Sequence, residues 1–163
     1  MEFHRLKSYL PLLIIVALAL AMSLVVRDKF YISVFMSSAM GFFLCMLSMF
    51  KLFDINGFVD GFQIYDIIAK RYRFYGYAYP FMELGLGLSL LANTAPLITN
   101  LLMSFIMIMS AISVIKSVVY GLDLQCSCLG TILKVPLSTV SIVENLGMGL
   151  MGIINTIFLL AKR

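Results

Sequence analysis

Residues 30–51 read FYISVFMSSAMGFFLCMLSMFK, an uncharged run from Phe30 to Phe50 closed by Lys51. About 20 apolar residues, rising roughly 1.5 Å each in a helix, cross the roughly 30 Å of hydrocarbon in a bilayer. This stretch therefore predicts a transmembrane helix, and the rest of the chain agrees. Of 163 residues, 62% are hydrophobic and 12% charged, against roughly 45–50% and 25% in a soluble domain. With a mean hydropathy of +1.03, the chain has more apolar residues than a core of this size can bury, so lipid must cover the remainder. The expected class is an all-α, multi-pass integral membrane protein.

Further segments follow on either side. Ser8–Val26 precedes the quoted run and is separated from it by Arg27-Asp28-Lys29. Beyond it come Phe74–Ala92, with Pro80 and Glu83 inside, and Leu97–Ile115, which continues past Lys116 to Tyr120; the turn Asn93-Thr94-Ala95-Pro96 joins the two. A last segment, near Val140–Ala161, starts where Ser141 and Glu144 have the spacing of a capping box, and Lys162 and Arg163 anchor its far end. The first segment is too long for the apolar core of a cleaved signal and is followed at once by another span, so it is read as a retained helix.

Two connections on one side of the membrane are long. In the first, Phe58, Phe62, Tyr65, Ala69 and Tyr72 recur at helical spacing while Asp60, Asp66, Lys70 and Arg71 take other positions, which predicts a short amphipathic helix in the interface. The second, Gly121–Thr139, holds Cys126-Ser127-Cys128.

The net charge of +4 sits in single residues and short clusters beside apolar runs, which argues against nucleic-acid binding. His4 is the one histidine, so multi-histidine metal sites and a buried Ser/His/Asp triad are excluded. Arg5, Lys7, Lys51, Lys70, Arg71, Arg73, Lys116 and Lys134 fall on the face with the N-terminus and the long connections, against Arg27, Lys29, Lys162 and Arg163 on the other. That bias puts the Cys-Ser-Cys face in the cytoplasm.

Chemistry concentrates in few residues. Cys126 and Cys128 can meet as a strained, easily reduced disulfide or hold one soft ion such as Cu(I); the plain alternative is two inert loop cysteines. Cys45 reads as a small buried hydrophobe. Glu83 lies about nine residues into its span, roughly 13 Å deep, where an ionisable group is a functional candidate whose partner should be named. The candidates are Lys51 and Lys116, although each lysine taken alone reads as snorkelling to headgroups. Either cation could also lower the pKa of a nearby thiol. Pro80 frees the carbonyl of Gly76 in the same leaflet. Asp54, Asp66 and Glu144 read as solvated interfacial carboxylates. Met103 and Met107 share a helix face, with Met109 nearby, and methionine of this kind is mostly packing. Gly85 and Ser89 fit a close contact between helices.

Several of these strings, in order, resemble the MauE/DoxX-like redox-associated membrane proteins. Lys51-Leu52-Phe53-Asp54 looks like the family's K-L pair, Gly57-Phe58 onward its interfacial segment, Tyr79-Pro80-Phe81-Met82-Glu83-Leu84 its P-x-x-E-L element, and Cys126-Ser127-Cys128-Leu129-Gly130 its C-x-C-x-G motif. The string from Cys126 through Leu133-Lys134-Val135-Pro136 to Glu144 resembles a branch associated with heavy-metal-binding domains. The resemblance implies a four-helix transmembrane core over residues 30–163, with residues 1–29 as an additional N-terminal helix. It also implies thiol–disulfide exchange with a thioredoxin-like or dithiol client protein, as in maturation of the disulfide-rich small subunit of methylamine dehydrogenase, and a likeness to quinone-coupled disulfide formers. In that scheme Cys126 and Cys128 cycle, Lys116 or Lys51 favours the thiolate, and Glu83 relays a proton or contacts quinone. The family further implies a bacterial inner membrane with thiols on the extracytoplasmic side, opposite to the charge count. Serine stands here where glycine is common between the cysteines, and leucine where phenylalanine is common.

Overall fold

The computed structural model describes residues 2–25, 32–120 and 137–161, with side chains over 13–25, 32–120 and 142–161. Cys126, Cys128 and Lys134 lie outside the described residues. The described elements, all helical, are α1 (Glu2–Val25), α2 (Ile32–Phe53), α3 (Ile55–Tyr65), α4 (Arg73–Leu91), α5 (Pro96–Val119) and α6 (Leu137–Ala161).

The helices are sorted inside out relative to a soluble bundle. α5 buries Thr99, Asn100, Met103, Ser104, Met107, Ser110, Ala111, Val114 and Ser117 and leaves Ile98, Leu101, Leu102, Phe105 and Ile112 exposed. α2 buries Ser37, Ser38, Gly41, Leu44, Ser48 and Lys51 at three- and four-residue steps, and α6 does the same with Asn145, Met148, Gly149, Gly152, Asn155 and Thr156. Serine, asparagine and glycine share the protein-facing side with methionine and a few leucines while most large aliphatic side chains face outward, as expected where lipid is as apolar as leucine and backbones must approach closely to attract. Among the described residues, Ile32–Phe53, Pro96–Val119 and Ile142–Ala161 are long and apolar enough to cross a membrane. The chain is an integral membrane protein. α4, diluted by tyrosines, glycines, Pro80, Arg73 and Glu83, is not among those three.

The principal packings are α5 on α6 and α2 on α4, with α1 resting mainly on α2. Ile15, Ala19 and Ser23 form the buried stripe of α1. α2 crosses α4 closely. A Cβ added to Gly41 would lie 2.9 Å from the carbonyl oxygen of Gly87, and one on Gly87 would lie 2.8 Å from Cys45 Sγ. The small-residue contact expected at Gly85 and Ser89 is therefore displaced: a Cβ at Gly85 meets nothing within 4 Å. Gly87 is two residues on, about 200° around the helix, and it faces α2.

Two boundaries also differ from expectation. α6 begins at Leu137, so Ser141 falls inside the helix and cannot be its cap. α2 runs through Lys51 to Phe53, which leaves Lys51 on a helical face and not at a frayed end. Between α4 and α5 the chain reverses through Asn93 (φ 54°) and Ala95 (φ 43°), after which Pro96 opens α5, where its missing N–H costs nothing.

α3 packs on α4, α5 and α2. Asp54 starts it by accepting a hydrogen bond from Gly57 N at 3.0 Å. Phe58, Val59, Phe62 and Tyr65 form its buried face. The amphipathic pattern is as read, but the apolar face is turned into protein. The helix also stops sooner, because Asp66 folds back to accept from Ile68 N (2.9 Å) and Ala69 N (2.8 Å). That competing side-chain bond ends the helix. It leaves Tyr72 63% exposed, while Asp66, expected in solvent, is buried.

Candidate functional site

The end of the bundle where α2 and α5 finish and α4 and α6 begin carries the charged residues among those described. There α2 and α4 bring together residues far apart in sequence. Lys51 Nζ donates to both carboxylate oxygens of Glu83, at 2.7 Å to Oε1 and 2.6 Å to Oε2. Lys51 is 4% and Glu83 2% exposed. Of the two cations named as partners for Glu83, the structure selects Lys51. Lys116, on the last turn of α5, is exposed. Snorkelling thus fails for Lys51, whose side chain turns inward to Glu83, the only acidic residue of α4.

Two buried opposite charges need more than each other, since desolvation can outweigh their attraction. α3 supplies the rest. The Lys51 ammonium lies 5.5 Å from the centroid of Phe58 and 5.1 Å from that of Tyr79, within range of cation–π attraction. Tyr79 precedes Glu83 by one helical turn and so shares its face. Phe62 ties the enclosure together, with ring centroids 5.0 Å from Phe58, 4.8 Å from Tyr79 and 5.5 Å from Tyr65. Gly76 admits α3 to this depth: a Cβ there would lie 3.2 Å from Val59 Cγ1. α4 remains one helix through Pro80, which is buried on the same side.

At the opposite end a second polar cluster lies buried that a search for charges passes over. Ser33 Oγ donates to Asn155 Oδ1 (2.6 Å), while Asn155 Nδ2 donates to Ser37 Oγ (2.7 Å) and Asn100 Oδ1 (3.2 Å). Asn100 Nδ2 in turn donates to the carbonyl of Pro96 at 2.7 Å. α2, α5 and α6 are thus joined by neutral groups. The signal was present as two asparagines inside otherwise apolar runs. Nearer the charged end, Asn145 Nδ2 donates to Ser110 Oγ at 3.1 Å, and Glu144 is half-buried.

Met103 and Met107 are buried in one apolar cluster with Met40, Met148, Leu44 and Leu90. Among the described residues no three His, Cys, Asp or Glu side chains gather as metal ligands would. Cys45 is half-buried against Gly87.

Lys51 and Glu83 belong to two separate strings on which the sequence resemblance rested, and folding joins them. No curated protein and no solved structure matches the chain. The model of one family does, over residues 29–161, beginning after α1 and running to the end of α6. The chain therefore belongs to the family described as methylamine utilisation protein MauE.

Proposed function

We propose that this chain is a five-span membrane thiol–disulfide redox protein, with α1 and α4 crossing beside the three strongly apolar helices, and with Cys126 and Cys128 as its exchanging pair. A thiolate of a client or thioredoxin-like dithiol attacks the Cys126–Cys128 disulfide, and the client's second thiolate resolves the mixed disulfide. The client leaves oxidised, having given up two electrons and two protons, and Cys126 and Cys128 become thiols. Regenerating their disulfide needs an acceptor of two electrons and two protons, for which a membrane quinone is the chemical class. The apolar groove of about 460 Å³ along Phe74, Tyr77, Ala78, Phe81 and Met82 would suit such a ring. It lies on the opposite face of α4 from Glu83, so Glu83 is assigned a proton-holding role and no contact with quinone. Lys116, exposed ten residues before Cys126, is the cation that would favour thiolate there.

The observation that carries this reading is the enclosed Lys51–Glu83 pair in a chain of the MauE family. A buried ion pair is weak evidence for stability, whereas an intramembrane carboxylate bonded to an ammonium is suited to holding a proton or releasing one. A second reading, capture of Cu(I) or another soft ion by Cys126 and Cys128, draws on the buried methionines of α2, α5 and α6. One experiment separates the two. The Cys45→Ser protein is titrated in redox buffers, the thiols are read by maleimide mass shift, and metal is assayed in the same sample. A reversible two-electron couple without metal, lost in Cys126→Ser and Cys128→Ser, supports exchange. About one soft ion per chain protecting both thiols would replace it with the metal reading, and full exchange activity in either cysteine variant would sink it.

A further inference from the structure

A cavity of about 550 Å³ opens between the turn after α3 and the last turn of α5. Among its described lining are Lys70, Arg71 and Lys116 and no carboxylate. That imbalance is local. The other cations at this end whose side chains are described are matched, Lys51 by Glu83 and Arg73 by Asp60 at 2.7 Å, whereas these three take part in no ion pair among the described residues. The one carboxylate on the turn, Asp66, is buried and accepts from Ile68 N and Ala69 N.

The cavity also sits at a defined depth. Lys116 is in the last turn of an apolar span that ends at Val119, which places it at the boundary between hydrocarbon and headgroups. Ile64 and Ile67 line it while 48% and 45% exposed, and Tyr120, 73% exposed, stands at its edge as aromatic residues do at membrane interfaces. Its walls are held before any ligand arrives. Ser117 Oγ donates to the carbonyl of Tyr65 at 3.3 Å, and Ile67 N donates to Ser113 Oγ at 3.5 Å, so the turn is tied to α5. Lys70 N donates to the carbonyl of Asp66 at 3.0 Å within the capped turn. A preformed basic recess with an apolar rim loses little freedom on binding.

We propose that this cavity binds the phosphate of an anionic phospholipid headgroup, with Lys70, Arg71 and Lys116 on the phosphate and the acyl chains along Ile64 and Ile67. Recesses of this chemistry between membrane helices select charged headgroups. The site shares Lys116 with the proposed thiol chemistry, but lipid binding is measured without the cysteines turning over, so either can fail while the other holds.

The test uses the full chain, delipidated in nonionic detergent, titrated with phosphatidylglycerol or phosphatidylcholine, and bound lipid counted by native mass spectrometry. The first phosphatidylglycerol should bind at least about ten-fold more tightly than phosphatidylcholine, given the attraction typical of each basic residue near anionic lipid. The combined Lys70→Gln, Arg71→Gln and Lys116→Gln variant should lose that preference, and Lys116→Glu alone should weaken it. Arg73→Gln removes a like charge from the same end but one engaged by Asp60, and should keep the preference. Circular dichroism verifies that each variant is folded. The proposal is overturned if the triple variant still prefers phosphatidylglycerol, or if Arg73→Gln loses the preference equally, which would make net charge the cause. It is also overturned if millimolar inorganic phosphate displaces the lipid, which would make a soluble anion the ligand.

Discussion

The two buried polar clusters solve one problem at different expense. At the Asn155 end, three helices meet through amides and hydroxyls that satisfy one another at 2.6–3.2 Å. No additional element is needed, because a neutral hydrogen-bonded group in a low-dielectric interior is tolerable once paired. At the Lys51 end the groups are ionic, and bidentate pairing at 2.6 and 2.7 Å is not the whole arrangement. A separate helix, α3, folds over them with Phe58, and α4 contributes Tyr79. The comparison teaches that burying charge recruits structure, whereas burying amides only requires reach. It also explains why the ionic end is the candidate for proton chemistry and the amide end for joining helices.

The comparison breaks first at the ionic end. Lys51→Met or Glu83→Gln alone should destabilise the detergent-solubilised protein by about 3–5 kcal/mol, because each strands a buried partner, while Lys51→Met with Glu83→Leu should recover most of the loss. Thermal unfolding of the three variants measures this; a double-variant loss equal to the sum of the two single losses would show that the pair is not coupled. Next, Asn155→Leu should cost about 1–2 kcal/mol, since interhelical hydrogen bonds in membranes average only about 0.6 kcal/mol each and Asn155 makes three of those given above. A loss as large as at Glu83 would erase the distinction between the ends. Asp54→Ala removes the cap of α3 and should cost about 1 kcal/mol, with hydrogen exchange rising over residues 55–65 and not around Asn155. The smallest effect is expected at the turn feeding Asn100. Ala95→Gly relieves a left-handed backbone and should stabilise by up to about 1 kcal/mol, raising the unfolding temperature.

Much of this was legible along the chain. Runs of apolar residues marked the long helices to within three residues, apart from α1, which starts six residues before the expected Ser8, because hydrogen-bond satisfaction in lipid leaves a 20-residue apolar segment little choice but a helix. The stripe of Phe58, Phe62, Tyr65 and Ala69 announced α3, since residues at those intervals share a face whatever they meet. What they meet was not legible. The same stripe suits a membrane surface or a protein groove, and Gly76 on the next helix, α4, decides for the groove. Gly41 and Gly87 form a close helix crossing while Gly85 stands open, because rotation about the helix axis is set by the neighbour and is invisible to composition. Cys126 and Cys128, the strongest chemical signal in the sequence, lie outside the described residues and rest on their spacing and the family alone.

By itself the sequence determined that this is a helical membrane protein, where its segments lie, and that Glu83 would need a partner, with Lys51 and Lys116 as the cations in reach. Those are local properties, set by transfer free energies and helical periodicity over one or two turns. Only the tertiary structure decided that the cation is Lys51 and that its cover is α3. It likewise decided that Lys116 stands exposed beside Lys70 and Arg71. Partner choice depends on which helix faces rotate toward each other, and that is settled by packing among residues dozens of positions apart.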